Sequence, residues 1–395
     1  MNDLRLGVVG IGNMGSTHAC SIYKRKVEGA RLIAVCDIDE SKKKWAEDNL
    51  QGVAFFEDYE EMFASKLIDA VIIATPHYLH PVVAISAFEK GLHVLSEKPA
   101  GVYTKQVEEM YEIAEKSGKV FSIMYNQRNN PLFRKAREIV QNGEIGEIIR
   151  TVWVVTNWYR FQQYYESSTW RATWKGEGGG LLVNQCVHNI DVMQWIVGMP
   201  KKVVGHCCYG RFHNIEVEDD ISAYFEYENG ATGVFISSTG EFPGVNRLEI
   251  SGTKGKIVLE NDKINICRSS VSEREYCFYS KEEFADKVRF KSEEITLPDL
   301  PAGQAHIMIL QNFVNAVLHG EELIAPGFDG IKGLSISNAI HLSDWTGKPV
   351  ELPFDGDLFK ELLDKKISLS AERERKVKDT SIDIGKASSR WEVKW

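Results

Sequence analysis

The feature that most constrains this chain is Gly10-Ile11-Gly12-Asn13-Met14-Gly15, a G-x-G-x-x-G string directly after the apolar run Leu6 to Val9 and opening a helical pattern. A second strand-like run ends at Asp37, 22 positions after Gly15. That context is what a dinucleotide site requires. Gly10 allows the tight turn, Gly12 lets the backbone approach a pyrophosphate, and Gly15 lets the helix pack on the strand. The free N–H groups at the helix start then receive the phosphates. Asp37 is placed for the adenosine ribose hydroxyls, and its charge disfavours a 2′-phosphate, so NAD is expected over NADP. Lys42 to Lys44 are the residues that would accommodate NADP instead.

Around this motif, residues 1 to 124 alternate short apolar runs (Leu4 to Val9, Arg31 to Cys36, Ala70 to Ala74, His93 to Leu95, Val120 to Met124) with amphipathic stretches. Short buried strands alternating with helices predict a parallel Rossmann sheet covered on both faces. Beyond 125 the pattern changes. A helix over Pro131 to Gln141 and a long strand over Ile148 to Trp158 lead to a Gly-rich segment and a helix over Gly176 to Val197. Strand after strand follows, with Asn229-Gly230 as a hairpin turn. We therefore expect an α/β chain of two domains, 1–124 and 125–353, the second built on a large, mostly antiparallel open sheet. Residues 354–395 form a charged extension with one short helical pattern.

Composition narrows the partners. The 395 residues carry a net charge of −9, which disfavours nucleic acid and anionic membranes. No apolar run approaches the roughly 18 residues of a membrane helix. The seven cysteines form no Cys-x-x-Cys pair, and no leader precedes the first strand, so a cytoplasmic protein with free thiols is expected. No metal site is expected.

Two further segments carry chemistry. Ala74-Thr75-Pro76-His77 and Ser96-Glu97-Lys98-Pro99 end successive strands at the carboxyl edge of the sheet, where ligands bind. Lys98 would lie near a nicotinamide. Downstream, Gly176-Glu177-Gly178-Gly179-Gly180 precedes a helix expected to carry Asn184, His188, Asp191 and Trp195 on one stripe. A polar stripe centred on histidine suits a helix lining a cleft.

The G-x-G-x-x-G start, Glu97-Lys98-Pro99, the triple glycine before His188 and the Glu-Asn-Gly-Ala-Thr-Gly hairpin at 228–233 together resemble the glucose–fructose oxidoreductase / inositol dehydrogenase / rhizopine catabolism (Gfo/Idh/MocA) family, from about residue 4 to Pro353. The resemblance implies hydride transfer between a sugar or cyclitol carbinol and NAD, often in a homo-oligomer. It implies that Lys98 contacts the reacting hydroxyl and that His188 is the general acid/base. The expected cofactor set is Gly10, Gly12, Asn13, Met14, Gly15, Asp37, Thr75, His80, Glu97, Lys98 and Asn126. Many members have an aspartate four residues before the histidine; here it is Asn184, which can bond a sugar hydroxyl but cannot stabilise an imidazolium by charge. A lysine buried near a cationic nicotinamide has its pKa lowered, which suits it to proton transfer near neutral pH.

The stretch from Trp153 to Trp174 holds four tryptophans and, with Asn157, Arg160 and Arg171, offers aromatic faces and hydrogen-bond donors for a polyol. Trp158, Arg160, Tyr164 and Trp174, with Asn184 and Asp191, are the expected substrate residues, and His306 is a further candidate. A pyranose or glycoside oxidised at a ring secondary hydroxyl, C3 first, is the expected substrate. The alternatives are a redox-elimination glycosidase that keeps its NAD, and a sugar or NAD sensor without chemistry.

Overall fold

The computed structural model of the chain describes residues 3–281, 283 and 290–370. Its first layer is a six-stranded parallel sheet made of β1 (Leu4–Val9), β2 (Ala30–Cys36), β3 (Ala54–Phe56), β4 (Ala70–Ile73), β5 (His93–Ser96) and β6 (Phe121–Ile123). The spatial order is β3-β2-β1-β4-β5-β6. All four β4 residues are buried, as a strand with helices on both faces must be. The strand order reverses between β1 and β4, which pair from Leu6↔Ala70 to Val9↔Ile73. A crevice therefore opens at their carboxyl ends, where Gly10, Thr75 and the residues after β5 converge.

The second sheet has nine strands: β7 (Ile148–Val155), β8 (Lys202–Tyr209), β9 (Glu218–Glu226), β10 (Thr232–Ser238), β11 (Asn246–Gly252), β12 (Gly255–Glu260), β13 (Lys263–Ser269), β14 (Phe290–Thr296) and β15 (Val350–Glu351). They lie in the order β14-β13-β12-β11-β7-β10-β9-β8-β15. Among the described strands of this sheet, only the β7–β10 pair is parallel. Asn229-Gly230 turns β9 into β10, which pair antiparallel from Ser238↔Asp220 to Thr232↔Glu226. The helices Val187–Val197 and Gly330–Thr346 cover one face, so Ile190, Ile336, Ile340 and the inward residues of β9 and β10 share one core.

Four expectations need correction. The helix expected to follow the glycine run and to carry Asn184 begins only at Val187. Gly178 at φ +83° and Gly179 at φ +151° cannot continue a right-handed helix. Gly180 lies where a Cβ would sit 2.3 Å from the Glu218 carbonyl oxygen, so the segment is a turn pressed against β9. The strand expected over Ile148 to Trp158 ends at Val155. The domains are not divided strictly by chain position: Ile309, Leu310, Phe313, Val314 and Ala325 pack in the core of the first sheet, not the second. Finally, the helix Gly356–Ser368 buries Phe359 and Leu363 in the second core. The charged tail expected after it, 371–395, lies outside the described residues.

Candidate active site

The glycine turn has the shape its residue types require. A Cβ on Gly10 (φ +83°) would stand 2.7 Å from the Ala74 carbonyl oxygen, and one on Gly15 only 1.8 Å from that of Gly10. At Gly12 a Cβ would meet nothing within 4 Å, so the space above it is open. Gly12 also starts the helix Asn13–Tyr23 with no side chain capping it. The N–H groups of Asn13, Met14 and Gly15 are thus presented to that space. Asp37 accepts the Ile11 N–H at 2.8 Å and the Asp39 N–H at 3.0 Å, which fixes its carboxylate beside the turn. Across the crevice, Thr75 Oγ1 and Asn126 Oδ1 are buried with no hydrogen-bond partner among the described residues. Orphaned buried polar atoms at a sheet's carboxyl edge are the kind a bound dinucleotide would satisfy, and the open cradle fits one.

Lys98 follows β5 and is buried. Its Nζ donates to the Asn184 carbonyl oxygen at 2.9 Å, which joins the first sheet to the turn before the helix of His188. Burial, with Arg171 and Arg160 nearby, lowers the Lys98 pKa to about 8, against the opposing pull of Glu97 and Glu177. Burial first, then the charges of Lys98 and His306, push the His188 imidazole well below its ordinary value. His188 is therefore neutral near pH 7, and its Nδ1 has no partner among the described residues. A buried amine with its pKa near 8, and a neutral imidazole that feels its charge, are the kinds of group suited to proton transfer.

Asn184 stands before the helix rather than on it, so the expected four-residue stripe begins at His188. Its amide nitrogen donates to Glu177 and approaches the Tyr164 hydroxyl at 3.4 Å. That hydroxyl also receives Arg171 Nη1 at 2.8 Å and Gln185 Nε2 at 3.1 Å. The Arg160 guanidinium lies over the rings of Trp158 and Tyr164. Lys98, His188, Asn184, Tyr164 and Arg160 are thereby linked in one cluster, with Thr75 and Asn126 on the Rossmann side.

Other expected residues are engaged elsewhere. Both Asp191 oxygens take Arg128, at 2.9 Å from Nε and 2.7 Å from Nη2, in a pair that is 1% exposed on each side. Asp191 braces the helix to 126–129 and is not a substrate ligand. Trp174 is not one either: its ring packs against Tyr209, His341 and Trp345, and its Nε1 donates to the Glu216 carbonyl oxygen at 3.1 Å. Trp158 is buried and donates to Asn189 at 3.0 Å, offering the cluster only its ring face. His80 has one ring nitrogen 2.7 Å from the Pro99 carbonyl and the other 2.7 Å from that of Thr75, leaving none for a cofactor. It braces the two strand ends instead. Glu97 meets His18 Nε2 at 2.6 Å, and the His18 ring is 6.1 Å from that of His306. His306 is buried, with a pKa lowered to about 4 by burial and by His18.

Sequence reasoning missed His18 and Glu177 as site groups. His18 repeats no motif, and its pairing with Glu97 spans 79 positions. Glu177 was legible only as the one acid inside a glycine run.

Residues 4–125 match the model described as oxidoreductase family, NAD-binding Rossmann fold, and residues 133–258 match the GFO/IDH/MocA C-terminal domain. Among curated relatives, the chain is 26% identical to scyllo-inositol 2-dehydrogenase (NAD(+)) of Bacillus subtilis, over 89% of this chain and 97% of that protein. It is 25% identical to D-glucoside 3-dehydrogenase of Escherichia coli, over 89% and 98%. Among solved structures, the WlbA dehydrogenase of Bordetella pertussis, in complex with NADH and UDP-GlcNAcA, superposes with a TM-score of 0.74 at 25% identity, over 90% of this chain and 100% of that one.

Proposed function

The chain belongs to the GFO/IDH/MocA oxidoreductase family of NAD-dependent dehydrogenases, and from that membership we propose that it oxidises a ring secondary hydroxyl, C3 first, of a pyranose sugar or glycoside. The chemistry a bound NAD would supply is acceptance of the hydride from the carbinol carbon. The cradle of Gly10, Gly12 and Gly15 with Asp37 would hold its adenosine and pyrophosphate part, and Thr75 and Asn126 would meet its other end.

The observation that carries this reading is the buried Lys98, with a pKa of about 8, tied at 2.9 Å to the turn that leads into His188. Oxidation of an alcohol needs a base for the hydroxyl proton. Lys98 contacts the reacting hydroxyl and takes its proton in the neutral form, while His188, kept neutral by its depressed pKa, offers its imidazole to the same hydroxyl. Asn184, Arg160 and the Tyr164 hydroxyl, itself held by Arg171 and Gln185, supply donors and acceptors for the remaining ring hydroxyls. The relative named D-glucoside 3-dehydrogenase supports a glycoside oxidised at C3. A homo-oligomer is part of the same proposal.

The test is NADH formation by the purified protein with NAD and a panel of pyranoses, glycosides and inositols, alongside Lys98→Ala. Turnover of a glycoside that disappears in Lys98→Ala supports the proposal. Turnover confined to inositols, or cleavage of a glycoside with no net NADH, would overturn it, the latter in favour of a redox-elimination glycosidase.

A further inference from the structure

We propose that the buried carboxylate of Glu177 is a positioning residue for Lys98 and Asn184: it ties the loop of Arg171 to the turn of Asn184 and supplies a negative charge that faces Lys98. The inference rests on the reading above, but its test does not depend on turnover.

Glu177 is 2% exposed, and every polar atom it has is engaged. Oε2 accepts the Ala172 N–H at 2.6 Å. Oε1 accepts the Asn184 amide and lies 3.8 Å from Arg171 Nη1. Its main-chain carbonyl meets His77 Nδ1 at 3.0 Å, across from the first sheet. With both carboxylate oxygens acting as acceptors, the ionised form is the one that fits, since a neutral acid would turn a hydrogen onto one of its two donors.

What this arrangement does can be followed outward from the carboxylate. Ala172 sits at φ +58°, a left-handed conformation that an alanine holds only when something fixes it. The bond from its N–H to Glu177 fixes it, and so aims the preceding Arg171 side chain over the rings of Tyr164 and Trp170 and onto the Tyr164 hydroxyl. On the other side, committing the Asn184 nitrogen to Glu177 leaves Asn184 Oδ1 as the side chain's acceptor. The backbone carbonyl of the same residue holds Lys98 Nζ. One carboxylate therefore sets the Arg171 loop, the Asn184 amide and, through Asn184, the lysine. An aspartate at 184 would place a second carboxylate against the first. Asparagine is the residue type that lets Glu177 stay charged there.

The groups facing Glu177 come from several elements. Burial, with Glu218 behind it, raises the Glu177 pKa above the ordinary carboxylate value, and Arg171 and its two hydrogen-bond donors pull against that rise towards the charged form. Lys98 feels Glu177 and Glu97 as charges that favour its protonated form, and Arg171 and Arg160 as charges that oppose it. Removing the Glu177 charge should move the Lys98 titration down. A role confined to holding the fold would leave it where it is.

The experiment measures the titration of Lys98 directly, by trace acetylation with acetic anhydride across pH and mass spectrometry of the Lys98 peptide. It compares wild type, Glu177→Gln, Asn184→Asp and the double variant, and records the pH profile of kcat/KM wherever turnover is found. In Glu177→Gln the Lys98 titration should move to lower pH by roughly half a unit or more, the size expected from losing a nearby opposite charge. In Asn184→Asp it should move up, and in the double variant, which relocates the charge by one side chain, it should return towards wild type. An unchanged Lys98 titration in Glu177→Gln overturns the proposal. Should that variant fail to fold, Asn184→Asp decides instead, and no movement there shows that charge in this pocket does not reach Lys98. A wild type that oxidises no pyranose, yet shows these shifts, would overturn the sugar reading and leave the role of Glu177 standing.

Discussion

Alanine at Gly12 should separate cofactor binding from folding with opposite signs. Gly12 has φ −65°, which any residue adopts, and a Cβ there meets nothing within 4 Å. Replacing glycine at such a position restricts the unfolded chain and stabilises the fold by about 0.4–1 kcal/mol. The same methyl would occupy the open space above the turn, through which, on the proposed placement, a pyrophosphate would reach the helix N-terminus. Losing one charged hydrogen bond from those N–H groups costs about 1.5–3 kcal/mol, which is roughly a tenfold to hundredfold weaker NADH affinity. Gly15→Ala is the control: its Cβ would lie 1.8 Å from the Gly10 carbonyl oxygen, so backbone must move. That variant should lose about 1–3 kcal/mol of stability along with binding. NADH fluorescence titration and denaturant unfolding of the cofactor-free protein read the two quantities separately. A Gly12→Ala protein that binds NADH like wild type, or that loses as much stability as Gly15→Ala, refutes the placement of the dinucleotide over this turn.

Arg128→Met leaves the buried Asp191 carboxylate uncompensated and should lower stability by about 3–5 kcal/mol, whereas Arg128→Met with Asp191→Leu should recover most of it; denaturant midpoints read by tryptophan fluorescence decide, and a double variant no better than the single one rules the account out. Asp37→Ser removes a carboxylate whose repulsion of a 2′-phosphate is on the order of a kcal/mol or more, so the NADP-to-NAD ratio of kcat/KM should rise roughly tenfold. On the proposed role, in which Lys98 works in its neutral form with burial bringing its pKa to about 8, oxidation should rise with pH through that region. A kcat/KM profile that falls through it would show that the charged lysine is the working form.

The Rossmann half was legible because its signals are local. Val71, Ile72 and Ile73 form an unbroken apolar run, and the Gly10 turn announces itself in six residues. The strands that escaped notice lack such signals. Ala54–Phe56 spans three residues, none of them buried, and Phe290–Thr296 reads Phe-Lys-Ser-Glu-Glu-Ile-Thr, an exposed edge held to β13 by its backbone. At the candidate site, the motifs singled out Lys98 and His188, while the partners that decide a side chain's role were not legible. Arg128 reaches Asp191 across 63 positions and fixes it as a brace. Glu177 reaches back five residues to Ala172 and forward seven to Asn184, through turns that no periodicity describes.

One physical criterion separates the two outcomes. Asp191, Trp174 and His80 are polar or amphipathic residues whose hydrogen-bonding atoms all end on protein. Thr75, Asn126 and His188 each keep a buried polar atom with no partner among the described residues. A buried atom left in that state costs free energy that folding alone does not return. Other buried atoms share that state, Thr151 Oγ1 and Tyr227 Oη among them, so it is the orphan state together with the place of these three at the candidate site that points to where cofactor and substrate should dock. Thr75→Val and Asn126→Leu remove such orphans, and each should therefore weaken NADH binding while leaving the cofactor-free protein as stable as before or more so.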